Sequence, residues 1–129
     1  MKNLLLSVMM IGAGFCQAQS VSEVMYETGE LKSSYFQENG LVKVTHFYTN
    51  GVVKETGFFK NGIPEGKWES FAESGKKTAE LSYKDGKRHG EFRGWDVYAD
   101  TYTEMHYSNG KVLDANKWIK TGDFAAVEK

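Results

Sequence analysis

Cysteine and proline are almost absent from this chain of 129 residues, which contains one of each. A single cysteine cannot close an intramolecular disulfide, and a zinc site requires three or four converging ligands. The three histidines, His46, His89 and His106, are scattered and show no ligand spacing. We therefore expect no disulfide, no metal and no other cofactor.

A surplus of positive charge is also lacking. The chain has 16 Lys and Arg residues against 17 Asp and Glu residues, which gives a formal net charge of −1. Binding to nucleic acid depends on a concentrated excess of cations that neutralises phosphates. The composition therefore argues against a nucleic-acid partner, and the length fits one small domain.

Long hydrophobic runs are missing as well. The longest one, residues 4–15, is well short of the roughly 20 residues that a membrane-spanning helix needs. It follows Lys2 and precedes small or polar residues, which is the pattern of a secretory signal peptide. We predict cleavage near Ala18 and an exported protein in the periplasm, the cell envelope or the extracellular space. Acylation of Cys16, as in a lipoprotein, is the alternative.

Glycine, by contrast, is abundant and regularly spaced. Seven turn-like glycines, each preceded by Asn, Asp, Ser or Thr, mark the period: Gly29, Gly40, Gly51, Gly62, Gly75, Gly86 and Gly110. The successive gaps are 11, 11, 11, 13, 11 and 24 residues, and the long gap predicts a further turn at Ala99 and Asp100. From Gly51 onward the spacing repeats every 24 residues, which is the signature of a repeat architecture.

The turn dipeptides and the segments between them predict the fold class. Asn-Gly and Asp-Gly supply the two positive φ angles of a type I′ hairpin turn. The intervening segments are rich in Val, Thr, Phe and Tyr, which favour strands. We predict an all-β protein, an antiparallel meander of about eight strands in which β-hairpin repeats form a single-layer or curled sheet.

The turn positions also predict which residues face each other across strands. A tip at residues 39–40 pairs Phe36 with Lys43 and Tyr35 with Val44. A tip at residues 50–51 pairs His46 with Glu55, Phe47 with Lys54 and Tyr48 with Val53. These are mainly aromatic, aliphatic and opposite-charge neighbours of the kind that stabilise sheets. The same reasoning places Glu69 opposite Glu80, either as a solvated pair or as a general acid/base couple.

Two stretches, KNGIPEGKW (60–68) and KDGKRHGEF (84–92), are copies of one turn. They share two glycines and an aromatic residue, whereas Arg88 and His89 replace Pro64 and Glu65. We expect structural roles for the repeat glycines Gly40, Gly51, Gly62, Gly66, Gly75, Gly86, Gly90 and Gly110. Arg88 and His89 are then the variable tip of a repeat and contribute to a binding edge, with an anion site beside Lys87 as the alternative.

Aromatic residues recur at fixed distances from the glycines. Phe36, Phe47 and Phe58 each lie seven residues after a glycine, and tyrosines and a phenylalanine recur one position later. Because neighbouring strand residues face opposite sides of a sheet, this predicts aromatic rows on both faces. We expect one row to form a core and the other, with Lys43 and Lys54, to form an interaction surface. Burial of both rows by sheet curvature is the alternative.

The repeats resemble the MORN-repeat variant of YwqK-type antitoxins. The resemblance is carried by residues 38–51, 50–75, 74–98 and 105–113 and extends from about Gly29 to Leu113. It implies stacked β-hairpins and roles in scaffolding, membrane-lipid contact or toxin neutralisation. The chain then divides into a signal peptide (1–18), an N-terminal linker (19–28), a repeat domain (29–113) and a C-terminal tail or cap (114–129).

We therefore expect a non-enzymatic, exported repeat protein that acts as a protein-protein interaction or scaffolding module in the cell envelope. Its expected partner is another protein. An immunity-type inhibitor of a toxin is one alternative, and a surface that contacts lipid or glycan is another. For residues 114–129 an added edge strand, a cap and a solvent-exposed tail all remain open.

Overall fold

The computed structural model describes residues 21–121 and 124–128, and within them it contains strands and turns but no helix. The predicted signal peptide lies outside the described residues. The eleven strands of the described part are β1 (Val21–Met25), β2 (Leu31–Glu38), β3 (Leu41–Phe47), β4 (Val53–Lys60), β5 (Ile63–Phe71), β6 (Lys77–Lys84), β7 (Lys87–Arg88), β8 (Gly90–Asp96), β9 (Thr101–Ser108), β10 (Lys111–Thr121) and β11 (Phe124–Glu128).

All strands belong to one antiparallel sheet whose spatial order follows the chain from β1 to β11. The short strand β7 pairs with β6 beside β8 and is separated from β8 by His89 alone. Extensive contacts join only strands that are adjacent in the sheet. The predicted all-β meander is confirmed as a single layer.

The sheet extends further at both ends than the sequence predicted. Val21–Met25, expected within a linker, instead forms β1, because its backbone pairs with the open edge of β2. At the other end β10 runs across the expected boundary at residue 113, and β11 pairs with it. Of the alternatives for residues 114–129, the described residues show added strands.

The turns are of two kinds, which lie at opposite ends of the strands. The two-residue turns at 39–40, 61–62, 85–86 and 109–110 have positive φ at both positions, for example 49° at Asn39 and 76° at Gly40. These are the predicted type I′ turns. They connect one hairpin to the next.

The turn within each of the first three hairpins is longer than predicted. At residues 48–52 only Gly51 has a positive φ, and its N–H donates to the Tyr48 carbonyl at 2.9 Å. The turns at 26–30 and 72–76 have the same hydrogen bonds. This pattern is a type I turn followed by a glycine bulge, not type I′. The predicted pairing of His46 with Glu55 is therefore confirmed, whereas Phe47 faces Val53 instead of Lys54.

The predicted pairing of Tyr48 with Val53 is also wrong, because Val53 faces Phe47, and the other predicted pairs are observed. Phe36 faces Lys43, Tyr35 faces Val44, and Glu69 faces Glu80. The turn predicted at Ala99 and Asp100 is present at residues 97–100, where the Asp96 carboxylate accepts the N–H groups of Tyr98 and Ala99. These two hydrogen bonds lower the pKa of Asp96.

The two copies of the glycine turn adopt the same backbone conformation. Gly62 and Gly86 have φ angles of 78° and 76°, and Gly66 and Gly90 have 68° and 87°. Such left-handed values favour glycine. The shared glycines are therefore explained by backbone geometry, as the comparison of the two stretches predicted.

Exchanging the tip of the second copy for that of the first should leave the fold intact. We expect the double change Arg88→Pro and His89→Glu to cost about 1 kcal/mol or less, mainly through the lost contact of Arg88 with Tyr107. Pro64 already occupies the equivalent ladder position opposite Phe59. Urea unfolding of the double variant measures the cost, and a collapse of stability would show that the tip residues hold the fold together.

One face of the sheet carries the small apolar core. Cross-strand partners share a face, and successive strand residues alternate between faces. We call this side the ladder face and define it by Val44, Phe59, Trp68 and Tyr83. The Trp68 ring packs edge-on against Phe59 at 5.1 Å and Tyr83 at 6.1 Å between centroids. Its indole N–H donates to the Phe58 carbonyl at 3.2 Å.

This core is thin because the sheet has no second layer. Among the described residues only Val44, fully buried, and Trp68, 6% exposed, are buried large apolar side chains. The buried polar residue Ser33 is satisfied by a 2.8 Å hydrogen bond with His46 Nδ1. Most other apolar side chains are half-buried, so both faces remain accessible to partners.

Candidate interaction surface

A row of side chains crosses β2, β3 and β4 on the face opposite to the ladder. Phe36 faces Lys43, and Lys43 faces Phe58, so Lys43 lies between two phenylalanines in the sheet. Both phenylalanines are half-buried and Lys43 is exposed. Within the described part of the chain neither Phe36 nor Phe58 stacks against another ring. We call these three residues the phenylalanine row.

A shallow depression of about 370 Å³ adjoins this row. Lys43, Thr45, Thr56, Val53 and Phe71 form part of its lining. The hydroxyls of Thr45 and Thr56 are 3.2 Å apart and hydrogen-bonded. The row and the depression together form an apolar surface beside a charged side chain, and exposed apolar patches with polar neighbours are typical of interaction sites.

Phe47 and Lys54 do not belong to this row. They lie near the bulged turn, where the Phe47 carbonyl accepts a 2.7 Å hydrogen bond from the Tyr26 hydroxyl. Lys54 Nζ lies 5.6 Å from the Tyr48 ring centroid, and the Tyr48 hydroxyl donates to the Phe71 carbonyl at 2.8 Å. Each tyrosine thus connects its hairpin to the next one. The Phe47 carbonyl thus takes part in a contact between repeats, whereas Lys54 contacts Tyr48 of its own hairpin.

Arg88 and His89 lie outside the phenylalanine row, because β7 pairs with β6, which is separated from β4 by β5. The Arg88 guanidinium lies 5.6 Å from the Tyr107 ring centroid and donates to its hydroxyl at 3.3 Å, and this bond raises the pKa of Arg88. His89 Nδ1 accepts the Asn109 N–H at 3.4 Å. The structure therefore does not bring the seven predicted surface residues together.

The paired carboxylates Glu69 and Glu80 both form ion pairs with two lysines. Lys77 Nζ contacts both carboxylates, and Lys67 Nζ lies 3.7 and 3.5 Å from them. The hydrogen bond from Lys77 lowers the pKa of Glu80, and hydrogen bonds to Glu69 and Glu80 raise the pKa of Lys77. A general acid needs a raised pKa, so this direction favours a solvated ion-pair cluster.

A second titratable cluster lies on β8, β9 and β10. One ligand atom from each of Glu91, Glu104 and His106 lies within 4.8 Å of the others. These residue types can bind a divalent metal. However, Arg93 donates to both Glu91 oxygens, and His106 Nδ1 lies 2.6 Å from Asp114 Oδ1. The Asp114 contact raises the pKa of His106, and this shift favours proton binding over metal binding at the ring.

An aromatic row was not predicted from the sequence. Trp95 faces Tyr102, and Tyr102 faces Trp118, on the same three strands. The Trp95 and Tyr102 ring centroids are 5.7 Å apart. The turn predicted at Ala99 and Asp100 would place Val97 opposite Tyr102, whereas the observed turn at residues 97–100 places Trp95 there. Trp118 was missed because residues 114–129 were not assigned to the sheet.

Two segments of the chain match a family model, and each segment coincides with one hairpin of the sheet. A family model described as the MORN repeat variant matches residues 42–61 and 64–85. The first match contains most of β3, the bulged turn and β4, and the second contains most of β5, the next bulged turn and β6. The neighbouring hairpins β1–β2 and β8–β9 have the same antiparallel construction.

No curated protein matches the chain significantly. In the part of the chain that the structure describes, there is no helix long and apolar enough to cross a membrane. MORN repeats are generally modules that interact with proteins or membranes. With one hairpin in each matched segment, the match supports a MORN-repeat protein.

Proposed function

We propose that this chain is an exported, non-enzymatic interaction module of the cell envelope that binds another protein through the phenylalanine row. The observation that supports this proposal most directly is the pair of half-buried rings at Phe36 and Phe58, which flank the exposed Lys43 on an uncovered face. A single-layer sheet cannot bury these rings by itself.

The ladder face is a poorer candidate because its rings already pack against one another around Trp68. The phenylalanine row has no such internal partners in the described residues. A partner that covered the row would remove apolar surface from water, and each Å² of apolar surface buried contributes roughly 25 cal/mol to the binding free energy. The adjoining depression gives a partner side chain a place to insert, and anchors of this kind carry most of the energy of an interface.

Lys43 indicates the chemistry of the partner segment. Lys43 is the exposed cation between two aromatic residues of the row, and a carboxylate of a partner would be attracted to it. An acidic partner segment with apolar side chains fits such a surface. Export is supported by the signal-peptide pattern of residues 1–18, and N-terminal sequencing of the mature protein is expected to begin at Gln19.

Affinity capture from native envelope extracts, followed by measurement with the purified partner, tests the proposal. We expect a protein that binds the wild-type chain and the Tyr98→Ala control but loses at least about tenfold in affinity with Phe36→Ala/Phe58→Ala. Tyr98 is 95% exposed and lies outside the row, so it is a suitable control. Equal binding by the double variant would contradict the assignment of this surface.

Two further measurements, toxin binding and vesicle sedimentation, separate the alternative functions. An immunity-type inhibitor would bind the product of a neighbouring toxin gene tightly. A lipid-contacting protein would sediment with vesicles and lose this property on replacement of Phe47 and Phe58. If one of these results is obtained and no protein partner requires Phe36 and Phe58, the corresponding alternative function replaces the proposal.

A further inference from the structure

We propose that the aromatic row Trp95, Tyr102 and Trp118 binds a linear, neutral oligosaccharide. The row lies on β8, β9 and β10, outside the phenylalanine row, so this proposal does not depend on the proposed function. It concerns a cavity of about 710 Å³ that all three rings line.

The row extends across three adjacent strands. The three residues are direct cross-strand neighbours, so their spacing follows the sheet spacing of roughly 5 Å per strand. The Trp95 and Tyr102 rings are tilted by 43°, with centroids 5.7 Å apart. One strand spacing is comparable to the length of one pyranose unit. A chain of two or three sugar rings can therefore lie across the strands with a ring over each aromatic side chain.

The rings are also accessible. Trp95, Tyr102 and Trp118 are each half-buried, so each ring keeps part of its surface in solvent. The apolar faces of pyranose rings stack on aromatic side chains, and large aromatic residues supply much of the contact energy in ligand sites. The Tyr102 hydroxyl is held by a 2.8 Å hydrogen bond to Glu104, which fixes the middle ring of the row.

Polar groups surround the row and can both donate and accept hydrogen bonds. Lys76, Asp100 and Thr101 line the same cavity. In the described part of the chain the side chains of these three residues have no hydrogen-bond or ion-pair partner. An ammonium donates hydrogen bonds, a carboxylate accepts them and a hydroxyl does both, so these groups beside the aromatic rings can pair with the hydroxyls of a sugar.

The charges around the cavity argue for a neutral ligand. Lys76 and Lys77 lie on one side, whereas Asp96, Asp100 and Glu104 also line the site. The cations and the open row disfavour a quaternary ammonium, which requires an enclosing cage of rings. The three carboxylates disfavour an anionic membrane surface. A neutral ligand with hydroxyl groups can donate hydrogen bonds to the carboxylates and accept them from the lysines.

Binding of tetrasaccharides to the purified protein tests this proposal. The probes are cellotetraose and N-acetylchitotetraose, which are neutral, and tetragalacturonate, which is anionic. We expect at least one neutral probe to quench tryptophan fluorescence and to bind by calorimetry in the micromolar-to-millimolar range. Trp95→Leu and Trp118→Leu keep an apolar side chain but remove the flat ring, and each should weaken binding about tenfold.

Tyr98→Leu is the matched control, because it removes an exposed aromatic ring beside the cavity but outside the row. Its affinity should equal that of the wild type. Circular dichroism and urea unfolding establish that the variants are folded. The proposal is overturned if neither neutral probe binds at millimolar concentration, if binding survives both Leu variants, or if tetragalacturonate binds more tightly than the neutral probes.

Discussion

Replacing Gly57 with alanine should destabilise the protein by about 3 kcal/mol. A Cβ at this position would lie 2.1 Å from Cδ2 and 2.3 Å from Cε2 of Trp68, far inside van der Waals contact. The indole would have to leave its place between Phe59 and Tyr83 and break its hydrogen bond to the Phe58 carbonyl. Because Trp68 is one of only two buried large apolar residues of the described chain, little else can compensate.

A double-mutant cycle measured by urea unfolding identifies the cause. Trp68→Ala alone should cost about 3–5 kcal/mol because a buried aromatic side chain is lost. In the Trp68→Ala background the alanine at position 57 has space, and its further cost should fall to about zero. Gly94→Ala is the control, since its Cβ would meet the Phe92 ring at a milder 3.1 Å. Strictly additive effects of Gly57→Ala and Trp68→Ala would show that the collision does not determine the loss.

Val44→Asp should abolish cooperative folding at 25 °C. Val44 is fully buried on β3, and a carboxylate there would lose its hydration without gaining a cationic partner from its cross-strand neighbours Tyr35 and Gly57. An uncompensated buried charge costs about 3–5 kcal/mol. A sheet with so few buried side chains has no other core to offset this loss.

Val112→Asp is the matched control, because this valine is 52% exposed. We expect its unfolding midpoint in urea to change by an amount equivalent to about 0.5 kcal/mol or less. Thermal and urea unfolding, followed by circular dichroism, compare the two variants. If both valines tolerated aspartate equally, the ladder face around Val44 would be solvated and the core assignment would be wrong.

The turns were the most predictable part of the fold. Asn39-Gly40 and Asp85-Gly86 adopt the type I′ conformation that their residue types favour, and the register predicted from residues 39–40 is the observed one. Asn50-Gly51 was misread because the same dipeptide also suits a type I turn with a glycine bulge. The two turns differ in their hydrogen bonds, here from Gly51 to Tyr48, and the dipeptide alone does not reveal these.

The surfaces were less predictable. Phe47 was grouped with Phe36 and Phe58 by its distance from a glycine, but it lies at the opposite end of its strand, beside the bulged turn at residues 48–52. Phe36 and Phe58 instead lie near two-residue turns, and both face Lys43. The position of Arg88 in the sequence did not show that its guanidinium packs on Tyr107, because Tyr107 is 19 residues away along the chain.

The sequence by itself determined the strand class, the repeat length and most turn positions, because these depend on local backbone preferences of Asn, Asp and Gly. The tertiary structure alone decided which cross-strand neighbours join into rows. It extended the predicted pair of Phe36 and Lys43 to Phe58, and it placed Trp95, Tyr102 and Trp118 in a second row. The physical reason is that the cross-strand partners of a residue depend on the length and the bulge of each turn, which the Asn-Gly and Asp-Gly dipeptides do not determine.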